Sequence, residues 1–149
     1  MALFACSGTE DLPPCEGGGT PSALIGEDAD GEFLAWEDGD SLVLSDDGGS
    51  TLGFWFDYRL TGLDATLPVT VVLRLSFDGG SSNDYLAQAN LSCQDPGPAR
   101  YTAFAALPAE YQSAPEGLDG TSAGVDTVFT DGRGVSADVV VDLVVDTGT

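Results

Sequence analysis

The chain has 149 residues, 42% of them hydrophobic, and sets 25 acidic side chains against four arginines, with no lysine or histidine, for a formal net charge of −21. This length suits one domain with a real core, and the charge excludes nucleic acid and anionic lipid surfaces as partners, since both require clustered basic residues. Without histidine there is no imidazole triad or imidazole metal site, and without lysine no P-loop or Schiff-base chemistry.

Residues 1–32 are rich in Gly, Pro, Ser and acid and keep no sustained period, so they read as an extended tether or arm. From Phe33 onward the pattern is one of strands, and residues 33–149 form the predicted domain. Short candidates at 33–37 and 41–45 precede "TLGFWFDYRL", in which Leu52, Phe54, Phe56, Tyr58 and Leu60 share one face and Asp57 and Arg59 the other. "PVTVVLRLSF" repeats the alternation with Val69, Val71, Leu73, Leu75 and Phe77 inward. Weaker candidates follow at 85–93 and 100–106. The long connection 107–124 has room for a single helical turn around Pro108–Gln112. A candidate at 125–130 precedes the C-terminal run, which places Val135, Ala137, Val139, Val141, Leu143 and Val145 on one face.

Asp-Gly pairs begin at Asp30, Asp38, Asp47, Asp78, Asp119 and Asp131, and such pairs suit type I′ hairpins because both residues tolerate positive φ. Alternating strands, regular turn signals and no helical-period segment predict an all-β fold. The expected form is an antiparallel β-sandwich, Ig-like or jelly-roll, of about seven to nine strands with an extended N-terminal arm. No run approaches the 18 apolar residues of a membrane span, so no transmembrane segment is expected.

No residue constellation names a reaction, and the domain is expected not to be an enzyme. Carboxylates are so abundant that no glycosidase-type pair stands out. Calcium is the cofactor to weigh, because hard cations prefer clustered carboxylate and carbonyl oxygens. "GEDADGEFLAWE" places Asp28, Asp30, Gly31 and Glu37 at EF-hand positions, but has Gly26 where the first Asp belongs. The candidate metal residues are Asp28, Asp30, Glu32, Asp38 and Asp40, with Asp46/Asp47 and Asp78/Asp84 as further clusters; the competing reading makes all of them turn residues. Trp55 falls on the strand face opposite Phe54 and Phe56, beside Asp57 and Arg59. These three residues form the candidate ligand face, where an outward Trp could stack on a sugar or anchor a protein. Burial beneath a loop is the simpler expectation for Trp55, and Trp36 is expected in the core. Asn90-Leu91-Ser92 fits a glycosylation acceptor, but its place in a predicted strand argues against use.

Three cysteines leave an odd thiol, and Cys93, ending the alternation Ala87, Ala89, Leu91, is expected to point inward. A local Cys6–Cys15 ring with Cys93 free, or three reduced thiols in a cytosolic protein, would each account for the count. Leu3-Phe4-Ala5-Cys6, followed by Ser7 and the Gly/Pro/acid-rich stretch, resembles the lipobox and tether of bacterial lipoproteins, although only Met1 to Ala5 precede the cysteine. The resemblance implies a lipid anchor on Cys6 and leaves Cys15 and Cys93 to form a disulfide. On the chain-entropy model that bridge, closing a loop of about 79 residues, contributes about 4.5 kcal/mol. The expected protein is an exported surface or envelope module for adhesion or ligand binding, calcium-stabilised, with a protein or glycan partner. One alternative is a structural subunit of a self-assembling virion or filament, its arm docking on a neighbour. A glycan-binding module or carboxylate-pair hydrolase is the third.

Overall fold

A computed structural model of the chain describes residues 16–77, 82–93 and 97–148. The described residues form eleven strands: β1 (Ser22–Ala29), β2 (Glu32–Ala35), β3 (Ser41–Val43), β4 (Ser45–Asp46), β5 (Leu52–Thr61), β6 (Val69–Phe77), β7 (Ser82–Ala89), β8 (Ser92–Cys93), β9 (Ala99–Ala106), β10 (Ser122–Thr130) and β11 (Ser136–Asp146). They make two packed sheets. The first runs β2-β1-β5-β9-β8, with β4 also on β5, and the second runs β3-β11-β10-β6-β7. All pairings are antiparallel except that of β3 with β11. The fold is therefore the all-β sandwich that the alternation predicts.

The period-two pattern builds the core directly. Phe54, Phe56, Tyr58 and Leu60 of β5 are buried, as are Val69, Val71, Leu73, Leu75 and Phe77 of β6 and Ala137, Val141, Leu143 and Val145 of β11. Each large apolar side chain moved out of water stabilises the fold by roughly 1.5–3 kcal/mol. A fully buried polar link crosses this layer: the Tyr58 hydroxyl on the first sheet and the Thr127 hydroxyl on the second lie 2.8 Å apart. Both residues are fully buried, so the bond satisfies two hydroxyls that have no access to water. Burial raises the Tyr58 pKa far above the usual phenol value, so the hydroxyl stays protonated.

The helical turn expected in the long connection spans Ala109–Gln112 and is followed by a 3₁₀ turn at Pro115–Leu118. Its last residue has a structural task. Gln112 accepts from Leu52 N and donates to the carbonyls of Leu52 and Leu107, all at 2.9–3.0 Å, closing the end of β5.

Several expectations require correction. The sandwich starts inside the stretch read as an arm, because β1 lies between β2 and β5. Only Ala23 and Ile25 of β1 face the core, and Gly26 contributes no side chain to the pattern, so its alternation is too thin to read. Of the described Asp-Gly pairs, only Asp30-Gly31 has positive φ at both residues, 53° and 82°. There Ala29 pairs with Glu32 across a two-residue type I′ turn; the other turns use the glycine alone or neither residue. Asp78 lies outside the described residues. Trp36 is half-buried at the core margin, edge-on to Phe56 at 6.0 Å. Asn90 is exposed between β7 and β8 rather than inside a strand.

Cys93 is exposed on a two-residue edge strand, not turned inward, because the chain breaks its alternation between β7 and β8. It is disulfide-bonded, and both other cysteines, Cys6 and Cys15, lie outside the described residues.

Candidate ligand-binding face

The first sheet presents its outer face through β1, β5 and β9. Register pairs Trp55 with Phe104, Asp57 with Thr102 and Arg59 with Arg100. Cross-strand partners share a face, so the three candidate residues on β5 stand in one row beside an aromatic, a hydroxyl and a second guanidinium from β9.

Trp55 is 44% exposed, so the expected burial does not occur. No loop covers the ring among the described residues, yet the ring is fixed. Its Nε1 donates to the Asp46 carbonyl at 2.9 Å, and Phe104 packs against it with centroids 4.9 Å apart. Asp57 accepts a 2.6 Å hydrogen bond from the Thr102 hydroxyl.

Arg59 is only 8% exposed despite facing outward. Its guanidinium lies 4.4 Å from the Phe33 ring centroid, donates to its neighbour's carbonyl at Tyr58, and stands 3.7 Å from the Asp28 carboxylate. The last distance is that of an ion pair without a close hydrogen bond. Phe33 reaches Arg59 because β2 folds back over β1 at the Asp30-Gly31 turn.

Two concavities flank this row. One, of about 190 Å³, lies between Trp55, Asp57 and the β3–β4 segment, with Trp36 also in its lining. The other, of about 440 Å³, is lined by Asp28, Asp57, Arg59, Arg100 and Thr102, together with Asn90 and Ser92 from the β8 edge and Tyr101. Burial raises the Tyr101 hydroxyl pKa, so it remains a neutral hydrogen-bonding group.

The proposed metal residues are not gathered. Asp28 faces Arg59, Asp30 is at the tip of the β1–β2 turn and Glu32 begins β2. Asp38 accepts from Asp142 N at 3.0 Å and Asp40 from Glu37 N at 2.8 Å, so both brace the turn before β3. Asp46 and Asp47 accept from the N–H groups of Gly48 and Gly49. Asp84 is held in a bidentate pair with Arg74. Among the described residues no group of three or more acidic or cysteine side chains converges as a metal site would require.

Arg100, Thr102 and Phe104 escaped the sequence reading. Their one visible signal is the scarcity of arginine in this chain; their place beside Trp55, Asp57 and Arg59 depends on the β5–β9 register. No helix among the described residues is long and apolar enough to cross a membrane.

No protein-family model and no curated protein matches the chain. Among solved structures, the fusolin spindles of Wiseana spp entomopoxvirus align over 76% of this chain with 11% identity and a TM-score of 0.49. This chain spans 44% of the fusolin chain. The N-terminal domain of PorA aligns over 86% of this chain and all of its own length, with 11% identity and a TM-score of 0.28.

Proposed function

We propose that the protein is an exported, non-enzymatic β-sandwich module that binds a ligand through the outer face of its first sheet. The observation that carries this reading is Trp55, a large aromatic ring left 44% exposed on a central strand and fixed by Asp46 and Phe104. An exposed aromatic ring whose rotamer is already fixed loses little conformational entropy on binding, which suits a recognition platform. The neighbouring groups are hydrogen-bonding side chains and two guanidinium groups, with Asp57 tied to Thr102, which suits recognition of a ligand.

In this reading Cys6 carries the lipid anchor and Cys15 pairs with Cys93. The Glu16–Asp64 bridge supports the pairing, since it holds the residue after Cys15 just past the end of β5. Cys93 is brought to that same end of the sheet through Ala99 and Leu60. Non-reducing peptide mapping should return a Cys15–Cys93 peptide, and Cys6→Ser should keep that bridge while abolishing incorporation of a labelled fatty acid. The binding reading is tested by titrating a panel of neutral and acidic oligosaccharides while following tryptophan fluorescence. At least one should bind the parent protein and bind Trp55→Ala tenfold or more weakly; equal binding by both proteins would refute the role of this face.

A further inference from the structure

The four arginines divide into two kinds. Arg74 makes two hydrogen bonds to Asp84, at 2.8 and 3.1 Å. Arg133 is held by Asp131 at 2.7 and 3.0 Å and donates to the Gly62 carbonyl. Arg59 and Arg100 are different. They stand directly opposite each other on β5 and β9, although like charges in that position destabilise a strand pair. Arg59 reaches its nearest carboxylate only at 3.7 Å. Among the described residues Arg100 makes no ion pair, and its Nε is buried without a hydrogen-bond partner.

A buried guanidinium N–H left unpaired calls for an explanation, because leaving such a donor unsatisfied carries a real desolvation cost. Both arginines open onto the same groove of about 440 Å³. An acceptor there could take hydrogen bonds from the terminal nitrogens of the two forks and relieve the Arg59–Arg100 repulsion in one step. A carboxylate fits the planar donor fork better than any neutral group.

The surroundings narrow the ligand. Asp28 and Asp57 line the same groove and the whole chain carries −21, so a densely charged polyanion would be repelled. A ligand with an isolated negative charge on a neutral, hydroxyl-rich body would not. Asn90, Ser92 and Thr102 offer it short neutral hydrogen-bonding side chains. The Trp55–Phe104 pair lies four residues along the register from Arg59–Arg100, roughly 13 Å along the strand at about 3.3 Å per residue. A chain of sugar rings could span that distance, with one ring stacked on Trp55.

We propose that the groove between Arg59 and Arg100 binds the carboxylate of an acidic saccharide. This proposal rests on the reading of the Trp55 face as a ligand-binding surface and specifies its ligand. The probes are a galacturonic-acid trisaccharide and its carboxyl-reduced galactose counterpart, titrated by calorimetry into the parent protein, Arg100→Gln and Arg74→Gln. The acidic trisaccharide is expected to bind at least tenfold more tightly than the neutral one, and Arg100→Gln to lose that preference. Arg74→Gln, which alters an exposed pair remote from the groove, should bind like the parent. Arg100→Lys, keeping the charge without the fork, should recover only part of the preference and confirm that the groove still folds.

Equal binding of acidic and neutral sugars that still depends on Trp55 would overturn the carboxylate site while leaving the Trp55 face intact. Failure of every sugar to bind would overturn both. Inorganic phosphate, sulfate or an acidic tripeptide competing as strongly as the trisaccharide would overturn the assignment to an acid sugar.

Discussion

At the scale of single residues, the molecule concentrates its polar commitments at a few buried points. Tyr58 and Thr127 satisfy each other across the sandwich at 2.8 Å, so truncating one strands the other. Tyr58→Phe should cost about 1–2 kcal/mol in chemical denaturation. Tyr58→Phe combined with Thr127→Val should cost clearly less than the sum of the single changes, because no orphaned hydroxyl remains. Asp131 is the second point. It is 5% exposed and accepts from the N–H groups of Asp64, Arg133 and Val135 as well as from the Arg133 side chain. Burial pushes its pKa up, but the Arg133 guanidinium and the backbone donors outweigh burial and hold it below the ordinary carboxylate value. A carboxyl whose pKa is lower in the folded than in the unfolded chain stabilises above the unfolded value, about 3.9. That stabilisation disappears as the pH drops through the folded value. Asp131→Asn should therefore cost about 2–3 kcal/mol at neutral pH. The gap between parent and variant should hold constant down to about pH 5 and shrink below about pH 4.

At the scale of elements, legibility followed the alternation. β5, β6 and β11 each turn one alternating apolar series toward the core, and their faces could be read from the letters. β1 could not, because it carries Gly26 where β2 passes close. A Cβ at residue 26 would overlap the Leu34 carbonyl, so the strand gives up a side chain to let the hairpin close. Gly26→Ala should push β2 away from β1 and with it Phe33 away from Arg59. The expected signs are lower thermal stability and faster amide exchange in 32–35 than in β6 or β10. The candidate site was half legible for a related reason. Trp55, Asp57 and Arg59 lie on one strand and share a face by parity alone, whereas Arg100, Thr102 and Phe104 join them only through a register that pairs residues 41 to 49 positions apart.

At the scale of the whole molecule, the net charge of −21 sets the response to salt. Self-repulsion opposes compaction, and screening relieves it over a Debye length of about 10 Å at 0.1 M, so the melting temperature should rise with sodium chloride. The acidic turns spend their carboxylates on backbone N–H groups. Calcium chloride should therefore raise the melting temperature no more than sodium chloride of equal ionic strength; an excess shift saturating at millimolar calcium would reveal a specific site. Composition and period two were enough to determine an acidic β-sandwich and the inward series of its long strands, because which face a side chain takes is settled locally by strand geometry. The tertiary structure alone decided that β1 belongs to the first sheet, that Cys93 lies on an exposed edge and that Trp55 stays uncovered. It also decided that two of the four arginines meet, since each of these outcomes depends on which distant strand pairs with which, and in what register.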